Sequence, residues 1–335
     1  MSQIKEFNNQ VGQTANTRSQ VKPPTSTFAS NMKLPVHGWF RFSAGFSAQW
    51  VGDTIKRQTG VDDLVMLDPF VGVGTSVIAA EEMGVTSYGL EAQPFVARIA
   101  QAKLHWNTDV SKFLSFALSM LDGAQHMSDC VPDYPKLINK CYPEDTLREL
   151  HYLKCSWESL SDESPASELS KLALTSILRS CSTAGTAPWQ YVLPKKTKSN
   201  PLVPFDAFSS QVQKMASDMH LKQMMGNASK AVILESDARD CAGIMDDSVN
   251  LVITSPPYAN NYDYADATRL EMTFWGDVQG WGDLHEKARK SLIRSCSQHL
   301  SYENTDLENL LSGLSDQTFL SDIEERCTIL AVTGQ

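Results

Sequence analysis

Residues 64–91 read LVMLDPFVGVGTSVIAAEEMGVTSYGLE, and this stretch decides the fold. Leu64–Leu67 is a short apolar run that ends in Asp68-Pro69, the pattern of a strand buried on both faces. A glycine loop follows, Phe70-Val71-Gly72-Val73-Gly74-Thr75. Glycines at such a turn admit positive φ and let backbone approach a ligand closely. Ser76–Met83 then carries helical signals and stops at Gly84. Ser87–Leu90 is a second apolar run closing on Glu91, and Pro94–Leu104 returns to helical periodicity. Strand, loop, helix, strand and helix in this order open a doubly wound, Rossmann-like α/β sheet.

Working outward, residues 1–30 are rich in Asn, Gln, Ser and Thr and read as a flexible arm. Residues 31–107 form the cofactor half of an α/β domain. They include the aromatic segment 34–50 and a short helix near Asp53–Gln58. Residues 108–228 place apolar side chains at helical spacing (Phe113, Phe116, Ala117, Met120; Leu172, Leu174, Ile177, Leu178) and predict a large, mostly helical insertion. Within it, Pro188–Pro204 reads as a lysine-bearing loop and Phe205–Met225 as a helix. Residues 229–335 bring strand signals back at Ala231–Leu234 and Leu251–Ile253. Helices are predicted at Asp266–Trp275, Leu284–His299 and around Leu307–Leu314. After Tyr258 the only strand-like run is Thr328–Val332, so the sheet is expected to lack its C-terminal strands and to be completed by a partner chain.

Composition bounds the function. The chain has 335 residues, 42% hydrophobic and 20% charged, which describes a protein with a sizeable core. The start has no signal-peptide core and no run is long enough to span a bilayer, so a cytoplasmic location is expected. Seven cysteines and seven histidines form no metal-ligand spacing, so no metal is expected. A net charge of −10 excludes a uniformly basic coat but leaves room for a local basic groove. Two clusters qualify: Lys195, Lys196 and Lys198, and Lys287, Arg289, Lys290 and Arg294. For each alone, a solvated face is the expectation.

The glycine loop discriminates among ligands. Val77 stands where a dinucleotide loop wants its third glycine, and no Gly-Lys-Ser/Thr follows, so a phosphate cradle does not fit. An acid at the end of the next strand, Glu91, suits a ribose. S-adenosylmethionine has a ribose and no phosphate. Asp68 is expected to organise the loop near its methionine end, and Asp237 to meet its adenine amino group, with a plain turn role weighed equally for Asp237.

A second constellation follows the last strand signal: Thr254-Ser255-Pro256-Pro257-Tyr258. Two prolines cannot continue a central strand, so the chain must turn stiffly at the sheet's carboxyl edge. There a carbonyl and the Ser255 hydroxyl can accept from an exocyclic amino group, and Tyr258 can stack on a base.

On these two blocks the sequence resembles the DNA amino-methyltransferases, which make N4-methylcytosine or N6-methyladenine. Asp68–Thr75 resembles their DPFxGxGT cofactor motif and Thr254–Tyr258 their catalytic motif, whose serine form is typical of the cytosine-N4 enzymes. The resemblance covers residues 64–106 and 231–275. It implies S-adenosylmethionine as cofactor, held by Phe46, Asp68, Pro69, Phe70, Gly72, Gly74, Thr75, Glu91 and Asp237, with Ser47 also near. It implies DNA as partner and Thr254, Ser255, Pro256, Pro257 and Tyr258 as the catalytic loop. Asn260, Asn261, Tyr262 and Asp263 should shape the cleft, and Arg269 should form a surface ion pair. None of the seven cysteines follows a proline, which sets aside the cytosine-C5 enzymes. RNA or protein methylation is the nearest alternative substrate class, and a split or truncated subunit without activity of its own is the alternative of another kind.

Overall fold

The computed structural model describes residues 28–293, apart from 43, 59–62, 129–130, 132, 188–189, 227–229 and 259–261. Four strands form one parallel sheet: β1 (Val65–Asp68), β2 (Thr86–Glu91), β5 (Ala231–Glu235) and β6 (Leu251–Val252), in the order β5-β2-β1-β6. The register pairs Val65 with Thr86, Ser87 with Ala231, and Leu67 with Val252. The chain steps outward from β1 to β2 to β5, then returns to the other side of β1 with β6. The strand order therefore reverses between β1 and β6. In such Rossmann-like sheets this reversal opens a crevice at the carboxyl ends of the strands.

The expected elements around the glycine loop are present. Helix α1 (Ala48–Lys56) is capped by the Ser47 hydroxyl, which accepts from the Trp50 N–H at 3.4 Å. Helix α2 (Thr75–Glu82) follows the loop, and α3 (Pro94–Leu104) begins on Pro94, whose missing N–H costs nothing in a first turn. One core cluster joins α1 and α2 to the sheet through Val51, Ile55, Met66, Val77 and Ile253.

Residues 108–228 contain α4 (Val110–Gln125), α5 (Lys136–Cys141), α6 (Glu144–Leu160), α7 (Pro165–Cys181) and α8 (Pro204–Met225). Phe113, Met120, Leu150, Leu153, Leu174 and Phe208 are buried in one cluster that also takes in Phe95 and Ile99 of α3. The helical region thus packs onto the α/β half through α3.

Three expectations change. Pro188–Pro204 is not a plain loop: β4 (Val192–Thr197) pairs antiparallel with β3 (Ala184–Thr186). The register slips between Ala184 and Gly185, and this irregularity accommodates Pro194, which has no ladder donor. Of the helix expected over Leu284–His299, the described part is α10 (Trp281–Lys287) followed by a 3₁₀ turn, Arg289–Ser291, and residues 294–299 lie outside the described residues. The helix expected over Asp266–Trp275 opens as a 3₁₀ turn at Asp266–Thr268 and becomes α9 at Arg269–Trp275. The runs at Leu307–Leu314 and Thr328–Val332, Arg294, and nearly all of the N-terminal arm lie outside the described residues. Among the described residues β6 has β1 as its only neighbour.

Candidate functional site

Parallel pairing of β1 with β6 brings the two turns together. The Ile253 N–H donates to the Leu67 carbonyl at 3.1 Å, one residue before each turn begins. A single cavity then opens between them, lined by Pro69, Phe70, Gly72 and Thr75 from the first turn and Ser255 and Pro257 from the second.

The glycine turn is organised from below. Asp68 is fully buried; its carboxylate accepts from the Phe70 N–H at 3.0 Å and from the Ser76 hydroxyl. Asp68 therefore shapes the loop and does not line the cavity. Gly72 has φ +54°, which a side chain would adopt only under strain. The turn also lies close against β2: the Val71 N–H donates to the Leu90 carbonyl at 3.0 Å. A Cβ on Gly89 would come within 2.6 Å of the Val71 side chain.

Glu91 lines the cavity at the end of β2 and accepts from the Gln93 N–H at 2.9 Å. Burial pushes its carboxyl up to about 7, against the opposing pull of the Gln93 and Gly72 N–H groups. Burial likewise lifts Asp68 to about 6, with the Ser76 hydroxyl pulling the other way. Both folded values lie above the ordinary carboxyl values of 4.5 and 3.8, so the folded chain holds protons that the unfolded chain has released. The stability this contributes is full below the unfolded values and is lost as pH rises through about 6 to 7. Without ligand, the urea midpoint should be higher near pH 5 than near pH 8. A ligand whose hydroxyls donate to ionised Glu91 should bind with the opposite trend, gaining up to about tenfold per pH unit below that range. Calorimetric titration across pH reads both the slope and its plateau.

Phe46 lines the cavity with Phe42, Ala44 and Gly45, and Asp237 lines it with Ala238. The Asp237 carboxylate is also paired with Arg239, whose Nε is 3.0 Å away, and this pairing holds its pKa below the usual value. Gly74 is the N-cap residue of α2 and Ser47 caps α1, both outside the lining.

The second turn rests on an aromatic stack. The Tyr258 N–H donates to the Tyr264 hydroxyl at 3.0 Å, and the Asp263 N–H to the Tyr191 hydroxyl at 2.7 Å. Tyr191 stacks on Tyr262 with ring centres 5.7 Å apart, and Tyr262 meets Tyr264 edge-on at 4.5 Å. The Ser255 hydroxyl is 3.1 Å from the Tyr258 hydroxyl. Tyr258 is 54% exposed, beyond the cavity lining, with a ring face available to a partner from outside. Thr254 and Pro256 also fall outside the lining. Asn260 and Asn261 lie outside the described residues. Arg269 forms its expected ion pair, 2.8 Å from Asp266.

Several lining residues carried no usable sequence signal. Ser291, Leu292 and Ile293 close the cavity, yet they sit in a stretch that reads as helix. They are tied down by Arg289, which is buried, donates to Asp263 at 2.6 Å and lies over the Trp281 ring at 4.3 Å. Arg289→Ala would strand the buried Asp263 charge and should cost about 3–5 kcal/mol of stability, read by denaturant unfolding.

The chemistry of the lining is selective. Among the described residues it offers two carboxylates, Glu91 and Asp237, apolar walls from Phe46, Leu90 and Val96, and no lysine or arginine. A phosphate-bearing dinucleotide would find no cation among these described residues. A cationic sulfonium on a ribose would find compensating charge and an acceptor. Among the described residues no His/Cys/Asp/Glu group could hold a metal ion, and no helix is long and apolar enough to cross a membrane.

Comparison with known proteins agrees with this chemistry. The chain is 24% identical over 285 residues to type II methyltransferase M.BsoBI of Geobacillus stearothermophilus, covering 75% of this chain and 54% of that protein. It is 24% identical over 313 residues to type II methyltransferase M.AvaI of Nostoc, covering 82% of this chain and 62% of that protein. A shorter match to type II methyltransferase M.MjaII of Methanocaldococcus jannaschii is 34% identical over 111 residues, 31% of this chain and 21% of that protein. The chain thus spans between about half and two thirds of the length of the first two of these relatives. No family model matches it, and no solved structure does. The methyltransferase resemblance read from the sequence is borne out by these relatives, and S-adenosylmethionine is the cofactor that the kinship supports.

Proposed function

From its kinship with type II methyltransferases, we propose that this chain methylates the exocyclic amino group of a DNA base, cytosine N4 in the first instance. One observation carries the reading: the glycine turn, Ser255 and Pro257 line a single cavity that, among the described residues, holds carboxylates and no lysine or arginine. Bound there, S-adenosylmethionine supplies an electrophilic methyl group on a positively charged sulfur. Glu91 accepts from its ribose hydroxyls, Asp237 serves the adenine side, Phe46 covers it, and the turn from Pro69 to Thr75 admits the methionine end.

The chain's own contribution to the reaction is positional and electrostatic. An amino group conjugated to a base ring is a poor nucleophile, because its lone pair is delocalised. The Ser255 hydroxyl and the Pro256 carbonyl accept its two N–H bonds and draw the lone pair back onto nitrogen. The two prolines hold these acceptors stiffly, so little reorganisation is needed during reaction. Tyr258 stacks on the base, which must leave the duplex to reach the cavity. Serine at 255 supports cytosine N4 over adenine N6.

A second reading is favoured by β6, which among the described residues pairs only with β1 and where Val252 is 57% exposed. A partner chain that adds strands there would complete the sheet and be required for activity.

Incubating the chain with labelled S-adenosylmethionine and either DNA or RNA, then identifying the modified nucleoside, tests the proposal. N4-methylcytosine in DNA is expected. N6-methyladenine would move the assignment to the adenine enzymes. Label found only in RNA or protein would remove the DNA assignment, and transfer that depends on added partner would establish the second reading.

A further inference from the structure

Resting on the DNA reading above, we propose that the cleft between the β3–β4 hairpin and α8 seats the phosphodiester backbone beside the target base. The charge is local. From Ser182 to Pro204 the sequence holds no Asp or Glu but carries Lys195, Lys196 and Lys198, in a chain of net charge −10. The cleft is lined by Arg41, Arg179, Lys198 and Lys214, with Glu271 as the only acid among the described residues. Glu271 is 1% exposed and already paired with Arg179, Oε1 to Nε at 2.5 Å. It therefore offsets Arg179, which leaves Arg41, Lys198 and Lys214 as the uncompensated cations of the lining among the described residues.

The cations are available. Lys195 and Lys196, on β4 and outside the cleft lining, are exposed and have no ion-pair partner among the described residues. Lys198 and Lys214 donate to backbone carbonyls, of Ser180 at 3.2 Å and of Gly38 at 3.0 Å, which positions them without cancelling their charge. The other basic cluster behaves differently. Arg289 is buried against Asp263 and Lys290 pairs with Glu286, so two of its cations are spent, while Lys287 donates to the Asp277 carbonyl and keeps its charge. Two clusters that look alike in sequence are thus separated by their partners.

Position links the cleft to the site. Gln190 lines the cleft and donates to the Arg41 carbonyl at 3.0 Å. The next residue, Tyr191, holds the Asp263 N–H of the base loop. On the other wall Arg41 faces the cleft while Phe42 lines the cofactor cavity. Phosphates held in the cleft would therefore flank a base entering at Ser255. Ser180 and Gln211 add uncharged donors of the kind that fix register on a duplex.

The test is fluorescence anisotropy of a labelled duplex against the 335-residue chain, across about 50 to 200 mM salt. The parent should show a steep loss of affinity with salt. The triple variant Lys195→Ala/Lys196→Ala/Lys198→Ala should bind more weakly on every sequence, with the log–log salt slope shallower by about 2–3. The matching Lys→Arg triple should keep the parent slope, and S-adenosylmethionine binding should be unchanged in both. A slope unaltered in the alanine triple, or lowered instead by Lys287→Ala/Lys290→Ala, overturns the placement. A parent chain that binds S-adenosylmethionine but not DNA, or RNA alone, overturns the DNA reading together with the placement.

Discussion

A Ser255→Ala chain should bind S-adenosylmethionine as the parent does and transfer methyl groups about 100- to 1,000-fold more slowly. The expectation follows from where the hydroxyl sits. Ser255 lines the cavity at the turn after β6, and its Oγ is 3.1 Å from the Tyr258 hydroxyl, with no contact to the turn's backbone among the described residues. Its loss removes one preorganised acceptor from the reacting amine, a change of the size seen when one oxyanion-type contact is deleted. The turn itself remains held by Pro256, Pro257 and the Tyr258 N–H to Tyr264 contact. Single-turnover rates should therefore fall while cofactor affinity and the unfolding midpoint stay put. Tyr258→Ala should differ in kind. Losing a stacking surface costs about 1–3 kcal/mol of base binding, so KM for DNA rises more than kcat falls. Full activity in Ser255→Ala would remove the assigned base site.

Glu91→Ala should weaken S-adenosylmethionine binding by about 100-fold or more. Two ribose hydroxyls donating to an ionised acceptor are worth about 1.5–3 kcal/mol each, and nothing else in the lining replaces that acceptor at the end of β2. Glu91 also accepts from the Gln93 N–H, so the alanine variant loosens the start of α3. Glu91→Gln separates the two effects. It keeps an acceptor for Gln93 and should lose less affinity, but it cannot titrate. The rise in affinity through about pH 7 should therefore vanish in Glu91→Gln. Isothermal titration of both variants across pH reads this directly, and a Glu91→Gln chain that keeps the parent's pH slope would contradict the ribose role.

The α/β half was legible because its signals are local. Buried parallel strands read as apolar runs, and Asp68-Pro69, Gly84 and Pro94 punctuate them, so β1, α2, β2 and α3 fall within a residue or two of expectation. The two turns were legible because glycine and proline restrict backbone in ways that composition shows. The β3–β4 hairpin was not, since Val192–Thr197 is largely solvated and carries Pro194, Lys195 and Lys196, which suggest a loop. Its importance depends on Tyr191 reaching Asp263, 72 positions away, and no pattern within either segment announces that contact. Ser291–Ile293 was missed for a similar reason. Leu292 and Ile293 continue an apolar spacing that suits a helix, whereas the fold turns them onto the cavity after the Arg289–Asp263 pair fixes the chain. The side chains that complete the site beyond the two motifs are those brought in by tertiary contacts.

The account rests on methyl donor and base meeting between the two turns that β1 and β6 present. A crystal structure of the chain with S-adenosylhomocysteine tests this most directly. The ligand should occupy the cavity, with its ribose on Glu91 and its sulfur facing Ser255. A ligand seated elsewhere, or one whose sulfur points away from the Thr254–Tyr258 turn, would contradict it.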